Sequence, residues 1–321
     1  ASEWGLVACD ENLLFGSSVP QGGIRRGHSR ASIVEGTHWD FRPIVTSDSV
    51  FAFAQKSQEL AWRYAPSNRL ILNPTIALGG GSVYFVEIDN IDNIEAQKIP
   101  GRVRIDQALD RGARVVALDQ QTGSIVWKQD ADYAAIEHHL YGFYANQSYI
   151  TVGSRNQAGK NGKQTVWYDI HVRDASDGQS KWEASQDNQT GAGGDHGEQD
   201  HHPVIVKDRL YVEPFAYDLN TGQRDYDWGW QRGHRGGCGT ISASNQAFFF
   251  RDRNAAMFDL KLKTHMPVTQ VSRPGCWINM IPAGGLLLIP EASSGCTCHY
   301  AVQASMAMRP NIEEADKADQ E

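Results

Sequence analysis

Imidazole, phenol and thiol side chains recur at matching places along this chain. His138, His139 and Tyr141 form one set, His201 and His202 a second, Cys238 a third, and Cys276 with Trp277 a fourth. Each stands just before a short apolar stretch that reads as the opening strand of a unit. Earlier in the chain, Glu3 with Trp4 and Leu72 with Asn73 hold the same position. Imidazole and thiolate are ligand types for zinc, copper or iron, and imidazole beside a phenol is a set that moves protons. His138, His139, His201, His202, Cys238 and Cys276 are therefore candidate metal ligands. His139, Tyr141, His201 and His202 are candidate catalytic residues. The plainer alternative is that these side chains hydrogen-bond strand ends around a channel, as polar groups there must.

Other stretches carry weaker chemistry. Residues 191–202 (GAGGDHGEQDHH) place His196 with Asp195, Glu198 and Asp200 in a glycine-rich loop, at a spacing that matches no strong metal motif. His28 lies among Arg25, Arg26 and Arg30, a basic loop suited to a carboxylate or sulfate. The insertion 87–95 (EIDNIDNIE) is rich in oxygen ligands but lacks the glycine and ligand order of a calcium loop.

Of the five cysteines, Cys9 falls within the first strand and reads as a buried free thiol. Cys238 and Cys276 follow glycines at near-equivalent positions and are a disulfide candidate, which fits an oxidising compartment. Cys296-Thr297-Cys298-His299 is one residue short of the haem-attachment pattern Cys-x-x-Cys-His. A metal site made of Cys238, Cys276, Cys296 and Cys298 is the sharp alternative. Two disulfides, or one disulfide and two thiols, are the plain ones.

The elements that position these residues are written as a repeat. Residues 116–127 (VALDQQTGSIVW) spell a strand, a turn carrying Asp and Thr-Gly, and a short strand ending in Trp. The phrase returns at 170–182 and at 215–223, the latter continuing to Trp228, and a worn copy occupies 50–62. A strand-turn-strand pattern precedes each hairpin, at 5–16, 74–86, 142–152, 203–212, 240–250 and 279–289. Joined, the two patterns make four antiparallel strands. Such a sheet has two open edges and an exposed apolar face, and closing several of them radially hides both, which is the β-propeller solution. The later units repeat at close to the ~40–50 residues of a propeller blade. The earlier ones are lengthened by insertions at 21–41, 88–111 and 155–164. The expectation is an all-β propeller with about six blades, the sixth ending in 300–308, and with no helix of note. A β-sandwich is the competing fold.

Composition bounds the rest. Repeat arrays run long as single domains, so 1–309 is expected to form one propeller followed by an acidic tail, 310–321. A net charge of −8, a pI of about 5.8 and the absence of a basic run exclude nucleic acid as a partner. No apolar run approaches the ~18–20 residues that span a bilayer. The first residues lack the basic and apolar regions of a signal peptide. The abrupt start in strand structure and the short last unit lead to the expectation of a chain incomplete at its N-terminus.

The repeat resembles that of the pyrroloquinoline-quinone-type propellers, in which an Ala-x-Asp-x-x-Thr-Gly-x-x-x-Trp phrase ends each blade. That family includes quinoprotein alcohol dehydrogenases and the propeller lipoprotein of the outer-membrane barrel-assembly machinery. The C-terminal stretches GCGTISASNQAFFFR and RPGCWINMIPAGGLLLIPEASSGCTC look like large bacterial proteins of this type, notably from planctomycetes. The resemblance covers roughly 4–309 and implies a ring that is usually eight-bladed, hence about two further blades upstream. It does not imply the quinone, because the chain has no Cys-Cys pair and no matching set of calcium carboxylates. A transition metal or haem stays open.

Two functions of different class follow. One is a periplasmic or otherwise extracytoplasmic binding or scaffold module that engages a protein partner, a glycan or the remaining blades of a longer chain. The other is a metal- or haem-dependent oxidoreductase, or a lyase, with a His/Tyr/Cys site at the channel mouth.

Overall fold

The computed structural model describes residues 2–23, 44–89, 101–158, 162–191, 201–232, 239–274, 279–291, 302 and 304–310. These residues fall into two compact units. The first comprises those within 1–192 together with 219–223, and the second those within 193–218 and 224–321.

The first unit contains three sheets of antiparallel strands, in the meander order of propeller blades. The first sheet runs Ser2–Cys9, Leu13–Pro20, Ser49–Ala54, Leu60–Tyr64. The third runs Leu140–Ala145, Ser148–Ala158, Gln164–Asp174, Ser180–Gly191. The second has the expected four strands, Ala77–Gly79, Ser82–Asp89, Ala113–Asp119 and Ile125–Ala131, and is then enlarged. A 3-10 turn, Asn73–Thr75, interrupts its inner strand. Arg69–Leu72 continues that strand along Ser82–Asp89, and Ile44–Ser47 and Arg102–Val103 add beyond it.

Part of the expected 88–111 loop is thus structured. After Arg102–Val103 comes a five-residue helix, Ile105–Leu109. Its Ile105, Ala108 and Leu109 fall on one helical face and enter the core with Ile44, Leu72 and Val103. A single turn is too short to show helical periodicity in the sequence, which is why it went unread.

Within the first unit, the Trp side chains of the hairpins dock on three turns. Trp62 Nε1 donates to the Gln120 carbonyl at 2.9 Å, Trp127 Nε1 to Ala175 at 2.8 Å, and Trp182 Nε1 to Leu219 at 2.9 Å. In every case the acceptor directly follows the turn aspartate (Asp119, Asp174, Asp218) and a glycine lies three residues on. Gly123, Gly178 and Gly222 have φ of 69°, 76° and 73°, a left-handed conformation that favours glycine. A Cβ on any of them would meet the incoming indole at 2.5–2.6 Å. Asp119 holds its turn by accepting from the backbone N–H groups of Gln121 and Thr122, and Asp174 does so from Ser176. The apolar faces between sheets close around these anchors. Leu13, Phe15, Val50, Ala52 and Trp62 pack against Ile71, Phe85 and Val116.

The second unit contains three further sheets, making six among the described residues. The fifth sheet has four strands, Ser242–Ala243, Ala247–Asp252, Asn254–Asp259 and Thr264–Pro267. The fourth has three, Val204–Val206, Arg209–Val212 and Phe215–Asp218. Its expected outer strand is reduced to one bridge, Tyr217 to Arg224. Beyond it Asp227 N donates to Asp225 Oδ1 in an Asx turn and Trp228 N to the Asp225 carbonyl, so the ladder is interrupted until Trp230 N reaches the Pro214 carbonyl. The sixth sheet has Ile281–Ala283, Leu286–Ile289 and Met306–Met308, the last falling at the end of the stretch 300–308 expected to close it.

Cys9 corrects one expectation. It is an exposed free thiol rather than a buried one, because Ser2–Cys9 is an edge strand, paired on one side only and largely open to solvent.

Candidate functional site

In the first unit, His138, His139 and Tyr141 are brought together at the entry to the third sheet. The backbone fixes them: Glu137 N and His138 N both donate to the Ser154 carbonyl, and Ser154 N donates to the His139 carbonyl at 3.0 Å. His139 and Tyr141 alternate along the strand and so share a face. Their rings lie parallel, with centroids 5.4 Å apart and 1° between planes. His138 is buried, with its Nε2 3.7 Å from Glu137 Oε2. Glu137 Oε2 in turn accepts from Asn156 N at 2.9 Å.

The neighbouring residues of the opening-strand set do structural work. Leu72 is core. Asn73 Oδ1 accepts from Ser47 Oγ at 2.6 Å and Ser17 Oγ at 3.3 Å. Trp4 packs edge-on to Phe51 and stacks on Phe53.

In the second unit His201 abuts a buried ion pair that the sequence did not announce. Arg232 Nε donates to Glu213 Oε2 at 3.0 Å, its backbone N–H to Glu213 Oε1 at 2.7 Å, and its Nη1 to the Gly239 carbonyl at 2.7 Å. The two side chains are only 2–3% exposed, and His201 Nδ1 lies 3.5 Å from Glu213 Oε2. Burial by itself would raise the Glu213 carboxyl. The charges of Arg232 and His201 and the hydrogen bonds from Arg232 outweigh it, so the group sits below its ordinary range. His202 Nδ1 lies 2.8 Å from the Pro203 carbonyl. Neither Glu213, at the end of an apolar strand, nor Arg232, in a Trp- and Gly-rich stretch, belongs to a recognisable motif.

Cys238, Cys276, Trp277, Cys296, Cys298 and His299 lie outside the described residues, as do His28 with its arginines and His196 with its carboxylates. Among the described residues no three His, Cys, Asp or Glu side chains are grouped to hold a metal ion. Glu87 is no loop ligand. It stands in a strand, fully buried, and accepts from Tyr64 Oη at 2.6 Å. Burial and then this bond to Glu87 push the Tyr64 phenol up.

The third sheet offers a surface that sequence reasoning missed. Its middle and outer strands are 11, 11 and 12 residues long, about twice the usual strand, and they overrun the entry of Leu140–Ala145. One face of the overhang is buried through Val166, Tyr168, Gln186 and Asn188. On the other, Arg155 stands opposite Trp167 and Asp169 opposite Ser185. Arg155 donates to both carboxylate oxygens of Asp169 (2.5 and 3.3 Å) and to Ser185 Oγ (3.1 Å), and its guanidinium lies 5.4 Å from the centre of the Trp167 ring. Residues 153–157 (GSRNQ) are rich in turn-forming types, which is why 155–164 reads as an insertion rather than as strand.

Residues 101–225 match the family model described as outer membrane protein assembly factor BamB. The two fullest copies of the Trp hairpin, 116–127 and 170–182, lie within that segment. No curated protein matches the chain. Similar solved structures include BamB from Moraxella catarrhalis, 15% identical with a TM-score of 0.48, covering 88% of this chain and 68% of that one. Quinohemoprotein alcohol dehydrogenase from Comamonas testosteroni is 14% identical with a TM-score of 0.46, covering 88% of this chain and 50% of that one. A europium-containing methanol dehydrogenase is 13% identical with a TM-score of 0.40, covering 77% and 59%. The chain thus spans half the length of the alcohol dehydrogenase it resembles. No described helix is long and apolar enough to cross a membrane.

Proposed function

We propose that this chain is a binding or scaffold propeller module of an extracytoplasmic assembly, and that it engages a protein partner through the overhanging end of its third sheet. The observation that carries the reading is the match of 101–225 to an outer-membrane assembly factor, a segment that contains the whole third sheet. Its half-buried row supplies Arg and Trp, residue types concentrated in interface hot spots, with Arg155 already held in place by Asp169 and Ser185. The first-unit candidates support the same reading, since His139 is stacked on Tyr141 and His138 is buried beside Glu137.

The test is crosslinking of the full chain in envelope preparations, with Arg155→Ala and Trp167→Ala as the paired variants. A discrete protein adduct that both variants reduce by about tenfold, the loss of ~1.4 kcal/mol of binding, supports the reading. An adduct that survives both, with folding intact by circular dichroism, overturns the role of the overhang.

A further inference from the structure

The second unit breaks the Trp interlock at one place, and the break leaves a cleft. The turn between Asn254–Asp259 and Thr264–Pro267 follows the same template as the others. Asp259 Oδ1 accepts from Lys261 N and Leu262 N, as Asp119 does from Gln121 and Thr122. Leu260 N donates to the Gln246 carbonyl, as Gln120 does to Gly81 and Ala175 to Gln147. The template therefore places a tryptophan donor on the Leu260 carbonyl and a glycine at position 263.

Trp228 is the tryptophan at this junction, but residue 263 is lysine, with φ 54°. Its side chain lines the cleft, where Gly123, Gly178 and Gly222 have none to set against an indole. Trp228 instead packs edge-on to Tyr211, Phe248 and Phe258. Among the described residues its indole N–H has no acceptor, and the bond to Leu260 is not made. Between the parted groups lies a cleft of about 490 Å³, within the range of small-ligand sites.

The lining sets the class of ligand. Trp228, Tyr211 and Leu260 give an apolar wall. Arg209 and Asp225 are spent on each other. Lys207 and Lys263, and Asp208 and Asp227, also face the cleft, and none of these four forms a salt bridge with a described residue. A plain anion would meet the two carboxylates, and a plain cation the two ammonium groups. A ligand carrying both charges about an apolar body satisfies all of them and offers the Trp228 N–H an acceptor.

We propose that this cleft binds a peptide-like zwitterion, either a free apolar amino acid or a short apolar peptide with both termini charged. The site is separate from the overhang of the third sheet, so its failure leaves the partner reading standing.

The test is calorimetric titration of the full chain with L-phenylalanine and with the tripeptide Ala-Phe-Ala, with phenylacetate and phenethylamine as single-charge controls. Saturable binding tighter than about 1 mM is expected for at least one zwitterion, and each control should bind at least about tenfold more weakly. The amino acid and the tripeptide distinguish the two sources.

Lys263→Gly restores the template glycine at a φ it accepts without strain. It should let Trp228 close on Leu260, abolish binding and raise Tm. Lys263→Gln keeps the cleft open and should weaken binding without abolishing it. The proposal is overturned by the absence of saturable heat from both zwitterions, by phenylacetate binding as well as phenylalanine, or by wild-type binding in Lys263→Gly.

Discussion

Trp127 and Gly178 meet so closely that a methyl group on the glycine would fall 2.5 Å from the six-membered ring of the indole. The same indole donates to the Ala175 carbonyl three residues earlier. Anchor and socket are thus set by one turn, and the pair recurs as Trp62 with Gly123 and Trp182 with Gly222. Trp127→Ala empties a buried site between sheets and should destabilise the chain by ~3–5 kcal/mol. Urea unfolding measures it, and a change within the ~0.5 kcal/mol of an ordinary surface site would refute the anchor role.

Gly178→Ala tests the socket from the other side. It forces a side chain into φ 76° and into the ring, so the loss should exceed the ~1 kcal/mol typical of a backbone effect alone. Combined with Trp127→Ala the clash with the ring disappears and only the contact with Gln129 Cγ at 2.7 Å stays, so the double variant should be less destabilised than the two single losses added together. Additive losses would mean that the two residues do not touch.

The Glu213–Arg232 pair predicts a pH dependence with a definite sign. The folded-state pKa of Glu213 is depressed below its ordinary 4.5. Its contribution is therefore present above that value and is lost as pH falls below it, through the folded pKa. Arg232→Gln takes from the buried carboxylate its strongest partner and leaves it beside His201, a loss of up to about 3–5 kcal/mol near neutrality. Because Glu213 can then neutralise itself by binding a proton, the deficit of the variant should shrink as pH is lowered. Denaturation curves at several pH values decide the matter, and a deficit that grows on acidification would be contrary to it.

Tyr64→Phe removes the hydroxyl that donates to the fully buried Glu87 and accepts from Lys128 Nζ at 2.6 Å. The expected loss is about 1–3 kcal/mol, read as a fall in the urea midpoint at unchanged m-value. An unchanged midpoint would show that water or Arg69, 3.6 Å away, takes over the bond.

Much of this architecture was legible because one phrase was repeated. Asp119-to-Trp127 spells turn cap, left-handed glycine and anchor in order, and each has a local physical reason. The fourth unit could not be read as three-stranded, because the Asx turn at Asp225 that diverts its outer strand looks in sequence like any loop. The helix Ile105–Leu109 and the strand pairing of Arg102–Val103 are held by core contacts distant in sequence. Among the candidate residues, His139 and Tyr141 stack, whereas the sequence reading set them only among residues that precede an opening strand. Their partners are another matter. Arg232 with Glu213 beside His201 is brought in by tertiary packing that no spacing rule encodes, whereas Glu137 is simply the residue before His138. Cys9 misled for the opposite reason, since an edge strand has the composition of a core strand.

Where each interlock ends on a main-chain oxygen, the residue bearing that oxygen carries no identity requirement. Gln120, Ala175 and Leu219 serve equally well. Apart from the aspartate that holds the turn, the joint asks the sequence for an indole and, facing it, a missing side chain. The side-chain-free position is thus the one at which a substitution meets the joint directly, and at 263 a lysine stands there.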